Sequence, residues 1–531
     1  MKTNKNRTRV ITGATTAILG VALIGLVSCS SGESTSSTVA PGGSAGISGP
    51  LVLVNNTGDK TLTSVALKGD SGNAVLGTIA AAEFENVALG DMQFSEGEWV
   101  FLNLGAANKT ATIDPLTGAV PIHETNLAVG TRPVHMYRDP TNGEVIWVGN
   151  DGDNAAGTST PGDDLINCNN PARPGGPVPG SSVTILHNSH LGPGGNPPTV
   201  EKTVCILADG HKVAAFPQPT ATNAAIPRRV FVSSETAGEI AVIDNEPGSL
   251  TKWEMIGRVD LCNPLKEVDP LTCNDESGTA LTTAFSANNS HPHGIRWSKL
   301  TGKVYSIQEG YGQIAEIDPI TLASTIIIDL AGTPYTSYGI TPDGRFLLLR
   351  GQTLTPQATK LGVLDLSVTP AVRTDFTIPE LDGTSPGSFK FSPNGNRFYI
   401  LAGNTAPSTK KDRLFAFDSS TLTAATPALT LLRDIPLVAT GAHGLDVLVQ
   451  GSGEAKYVVV SNSTDNSISI INATDNQEKQ KVTVGPTPGG VMVYEPGAAS
   501  AGNQATSSLK VPSKAKSSVL SDQLDDHGMP K

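Results

Sequence analysis

One strand is written eight times along this chain, and that repetition limits the fold more than any other feature. The copies are LVLVNN (Leu51 to Asn56), VFLNLG (Val100 to Gly105), VIWVGN (Val145 to Asn150) and VFVSSE (Val230 to Glu235). They continue as VYSIQE (Val304 to Glu309), FLLLRG (Phe346 to Gly351), FYILAG (Phe398 to Gly403) and YVVVSN (Tyr457 to Asn462). Each is a short β-branched or aromatic run that ends in small or polar residues, as suits a strand buried on both faces. Behind each comes a second alternating run that usually closes on an acid or amide, as in Asp114, Asp244, Asp318, Asp365, Asp418 and Asn472; His187 takes that place in one copy. Short strands repeating as a self-similar unit predict an all-β β-propeller.

The strand ahead of each copy is expected to line a central channel. These strands are GDMQF, HMYRD, HKVAAF, HGIRW, YGITPDG, FKFSPNG, HGLDVL and GVMVYEP. The turns PTNG, TPDG and SPNG are hairpin signals, and Gly143, Gly344, Gly395 and Gly302 keep the blades in register. GVMVYEP has no partner after it and LVLVNN has none before it. Joining the two in a shared blade closes the ring and removes bare strand edges. The count is eight blades, or seven if one N-terminal repeat is an irregular addition. Two insertions interrupt the pattern. Residues 151–180 separate the second and third strands of blade 2, and residues 264–289 separate blades 3 and 4.

Propellers grow by adding blades, so 531 residues fit one such body. Charged residues are 16%, while Gly (56) and Pro (37) are plentiful, as in turn-rich β proteins. A net charge of −12 with no basic patch argues against nucleic acid as a partner. The N-terminus has Lys2, Lys5, Arg7 and Arg9, then an apolar run from Val10 to Val27 that is too short for a confident membrane span. Leu26-Val27-Ser28-Cys29 resembles the lipobox of bacterial lipoproteins. That resemblance implies a signal peptide over 1–28, a lipidated Cys29, stable anchoring by its acyl chains and, with Ser30 following, passage to the outer membrane. Residues 29–49 read as a flexible tether, 50–496 as the propeller and 497–531 as a disordered tail. The four other cysteines are expected as two local disulfides, Cys168–Cys205 and Cys262–Cys273.

The run YVVVSNSTDNSISIINATDNQEKQKVTVGPTPGGVMV (Tyr457 to Val493) resembles the YVTN family of propeller repeats, and VYSIQEGYGQIAEIDPIT (Val304 to Thr321) is similar to it. The resemblance implies the fold and an extracytoplasmic setting. It does not imply one activity, because propellers host many.

Four of the nine histidines fall at the start of an expected innermost strand: His135, His211, His293 and His443. Aligned by their turns, Tyr338, Phe389 and Asp91 take the same place in other blades, and His291 lies two residues before His293. Imidazole is a common metal ligand, so these histidines form a candidate copper or other transition-metal site at the channel mouth. The competing reading is structural: such residues hydrogen-bond neighbouring strands and channel water. Asp151, Asp153, Asp163 and Asp164 are read as a solvated acidic loop, and His187 and His190 as surface residues. The leading functional expectation is an envelope-anchored binding scaffold for a protein or small ligand. A metal-dependent redox protein is second and a lactonase-like hydrolase third, with no acid–base residues assignable for the last.

Overall fold

The computed structural model describes residues 49–95, 99–115, 123–152, 168, 180–188, 197–207, 212–270, 273, 277–279, 281, 286–351, 360–404, 412–424, 427–438, 441–449 and 452–495. Their 32 strands form eight four-stranded antiparallel sheets, and no α-helix occurs among the described residues. The chain is an eight-bladed β-propeller. In blades 1 to 7 the strands follow one another outward in sequence order. Blade 8 is shared by the two ends: Leu51–Asn56 lies between Pro488–Tyr494 and Thr61–Ala66, with Leu51 opposite Tyr494 and Val52 opposite Val493.

The repeated strand is second from the channel in every blade. Leu51–Asn56, Val145–Asn150 and Phe346–Gly351 are buried along their whole length, because each has a strand on either side and a blade on either face. Between blades the packing is continuous. Trp147 and Phe216 meet edge-on at 6.0 Å between blades 2 and 3, and Phe94 and Tyr494 lie at 4.9 Å between blades 1 and 8. The outermost strands face solvent, as in Ala74–Ile79.

The acid or amide that closes each third strand folds the turn after it. Asp244, Asp318, Asp365, Asp418 and Asn472 each accept the amide N–H two residues on, at 2.9, 2.7, 2.8, 2.9 and 2.8 Å. These are Asx turns, which explains why the position keeps a short carboxylate or amide. Gly344 has φ 80°, and a Cβ there would sit 2.8 Å from the Lys299 nitrogen, so the blade 5 turn packs too closely on blade 4 for a side chain. The disulfides are Cys168–Cys205 and Cys262–Cys273, as the local pairing predicted.

Candidate functional site at the channel mouth

At the mouth, the ladder register separates the histidines that the turns had aligned. His135 pairs with Gly149 after a bulge at Val134. His293 itself falls in the bulge between Pro292 and Gly294. In blade 5 the register puts Ser337, not Tyr338, opposite Arg350, the counterpart of Gly149. Tyr338 is buried between blades 4 and 5 and its hydroxyl donates to the Tyr305 carbonyl at 2.6 Å. Burial pushes that hydroxyl above its ordinary value, so it stays a neutral donor. His211 lies outside the described residues, and His443 is described in its backbone only, within Ala442–Val449.

The residues that do converge belong to blades 1, 2 and 3. His135 Nδ1 lies 2.9 Å from Asp91 Oδ2, which also accepts the Met136 N–H at 3.4 Å. Asp91 just precedes the innermost strand of blade 1, Met92–Phe94, so this pair ties two blades together. Lys212 is fully buried, and its carbonyl accepts the Tyr137 hydroxyl at 3.0 Å. Gly149 makes this approach possible: a Cβ there would stand 3.1 Å from Lys212 Cβ and 3.7 Å from His135 Cβ. Asp151 is largely withdrawn from water. Burial raises its carboxyl above the ordinary range, against the lowering fields of His135, Lys212 and Arg132. Asp151 therefore belongs to the mouth rather than to a solvated acidic loop; Asp153, Asp163 and Asp164 lie outside the described residues.

Beside this cluster a cavity of about 360 Å³ opens at the seam of blades 8, 1 and 2. Asn55 and Gly490 form one wall, Leu89 and Asp91 a second, and Arg132 and His135 a third. Asn55 braces the seam, its Nδ2 donating to the Leu89 and Gly90 carbonyls at 2.8 and 2.9 Å. Part of the lining is glycine, from Gly90, Gly105, Gly489 and Gly490. Its size lies within the range of small-ligand sites.

The remaining candidates stand apart. His293 Nδ1 lies 3.2 Å from Glu309 Oε1 in blade 4, and the His291 carbonyl accepts the Glu309 N–H at 3.1 Å. His187 sits between Glu144 and Glu201, at 3.5 and 3.7 Å, on the outer half of blade 2. His190 lies outside the described residues. Among the described residues no three His, Cys, Asp or Glu side chains come together as a metal-ligand set. Nothing in the local sequence marks Arg132 or Lys212. Lys212 adjoins an expected histidine, and Arg132 precedes a repeated proline; only the fold brings them to the mouth.

No known protein family and no curated protein matches the sequence. Solved structures do resemble it. One is a dihydro-heme d1 dehydrogenase, NirN, in complex with DHE, at 14% identity, covering 83% of this chain and 74% of that one, with a TM-score of 0.50. Another is AztD from Citrobacter koseri, at 12% identity over 84% and 98% of the two chains, with a TM-score of 0.49. A third is a protein from Lactobacillus plantarum, at 12% over 84% and 99%, with a TM-score of 0.44. At such identities the likeness is one of fold, and the class it supports is the β-propeller.

Proposed function

We propose that this β-propeller is a YVTN-like lipoprotein, held at the bacterial outer membrane through Cys29, and that it binds a small ligand in the cavity at the seam of blades 8, 1 and 2. The observation that carries the reading is the cavity itself: four glycines share its wall with apolar and polar residues, and a hydrogen-bonded Asp91–His135 pair stands at its edge. The glycines keep part of that wall open, and the few polar groups give orientation. Gly490 offers the test. A Cβ there would make only ordinary contacts, 3.7 Å to Met92 Cε and 3.9 Å to Asn55 Cβ. Gly490→Leu should therefore fold, fill the cavity and abolish binding of whatever small molecule stabilises the parent in a thermal-shift screen. If ligands found in that screen bind the variant equally well, the cavity is not the site. The anchor is tested separately: Cys29→Ala should move the protein from the membrane to the soluble fraction and end its labelling by fatty acid.

A second reading is favoured by one arrangement. His135 and His293 each have a carboxylate beside Nδ1, an arrangement common to metal-binding histidines. Elemental analysis of purified protein decides it. Stoichiometric metal, lost in His135→Ala or His293→Ala, would replace the scaffold reading with a metal-dependent one.

A further inference from the structure

Three residues at the channel mouth share an uncommon backbone state. Arg132 has φ 46°, His291 φ 46° and Thr487 φ 51°. Each directly precedes the proline that opens an innermost strand: Pro133, Pro292 and Pro488. In blade 7 a glycine, Gly441 with φ 68°, directly precedes the innermost strand Ala442–Val449. Left-handed backbone is costly for residues with a side chain unless the surroundings impose it. Here they do. Asn108 and Asn466, both left-handed at φ 52°, accept the N–H of Arg132 and of Thr487 at 3.0 Å each. The Arg132 carbonyl also accepts the Asp151 N–H at 3.2 Å, and the Thr131 carbonyl the Gly152 N–H at 2.9 Å. Neighbouring turns thus set the backbone, and glycine is the residue such a position favours. An arginine stands at this one in blade 2, exposed to solvent and among the residues that line the cavity.

We infer that the cavity takes a small monocarboxylate, its acid group held by the Arg132 guanidinium and its apolar body lying on Leu89, Pro133 and the backbone of Gly105 and Gly490. The inference rests on the ligand-pocket reading above. A guanidinium offers two parallel N–H groups in a plane, which match one carboxylate. Among the described residues of the lining, Arg132 is the one permanently charged cation. Asp91 in the same lining opposes any anion, and it opposes a doubly charged phosphate ester more than a singly charged carboxylate. Leu89, Pro133 and the glycines of the wall suit a flat or short apolar body.

The test is calorimetry on the mature protein with benzoate, hexanoate and naphthoate, set against benzamide, hexanamide and phenyl phosphate. Carboxylates should bind about ten- to a hundredfold more tightly than their amides, the range expected of a hydrogen bond to a charged group. Arg132→Gln should bring carboxylates down to the amide level and leave the amides unchanged. Arg132→Gly should do the same while melting no lower than the parent, since glycine suits the left-handed backbone; that separates loss of recognition from loss of fold. Gly490→Leu should weaken both classes. Equal binding of carboxylates and amides, with both lost in Gly490→Leu, overturns the carboxylate inference and leaves the pocket. No binding by any probe at millimolar concentration, or binding indifferent to Gly490→Leu, overturns both.

Discussion

Asp139 is a buried carboxylate whose two oxygens are fully engaged. Oδ1 accepts the N–H groups of Thr141 and Asn142 at 2.7 and 3.1 Å and the Thr141 hydroxyl at 2.7 Å. Oδ2 accepts Trp147 Nε1 at 3.2 Å and Asn245 Nδ2 at 2.6 Å, the latter from blade 3. Asp139→Ala would strand several buried donors at once, and we expect it to cost about 2–4 kcal/mol in urea unfolding. The closing aspartates act in a different way. Burial raises the carboxyls of Asp244, Asp318 and Asp365, but their hydrogen bonds, with Lys303 at Asp318 and Arg345 at Asp365, outweigh it and hold all three below the ordinary value. A depressed folded value means stability that is whole above the unfolded carboxyl range, near pH 4, and is lost as pH falls through the folded values. Melting temperature should therefore drop steeply below about pH 4, and Asp318→Asn should flatten the drop. A profile in which the variant loses stability as steeply as the parent would remove Asp318 from this account. Asp151 has the opposite sign: its raised carboxyl makes stability fall as pH rises through the interval just above the unfolded value.

At the level of strands and loops, the pattern was readable where burial is two-sided. LVLVNN and VIWVGN have no polar face to confuse their assignment, and the structure buries all six positions of each. The Asx positions were visible as well, because a turn of that kind demands a short acceptor at a fixed place. The mouth was not. A bulge moves a side chain by one position without changing the hydrophobic pattern, and so His135 and His293 share a sequence offset but not a ladder position. Arg132 is not legible as a mouth residue because a residue before proline ordinarily reads as extended, and its left-handed state depends on Asn108 in the neighbouring blade. The disulfides sit in or beside the two insertions, closing sequence separations of 37 and 11. Loop closure predicts about 3–4 kcal/mol from each. Under reductant, proteolysis should begin in the segments they clip, before the sheets give way. Cys168→Ser and Cys262→Ser, digested without reductant, check each clip alone; first cleavage within a blade would contradict the expectation.

The ring as a whole depends on one buried residue near its closure. Asp446, on the innermost strand of blade 7, lies 3.1 Å from Lys390 Nζ of blade 6 and accepts the Val493 N–H of blade 8 at 2.7 Å. It therefore spans three consecutive blades. Asp446→Ala leaves Lys390 buried beside no counter-charge, and the expected loss is about 3 kcal/mol or more. Lys390→Met with Asp446→Leu should restore much of it if charge burial is the cause. A chain ending before Pro488 would leave Leu51–Asn56 with a bare edge, and light scattering should find it self-associated; a well-behaved monomer would show that the shared blade is dispensable. The pairing of Leu51 with Tyr494 also has a meaning in time. Among the described residues the earliest strand is completed by the latest, so this blade cannot be finished while the rest is still being produced. A chain interrupted before Pro488 would leave Leu51–Asn56 open at that edge, so the closing blade doubles as a check on whether synthesis has reached the end of the ring.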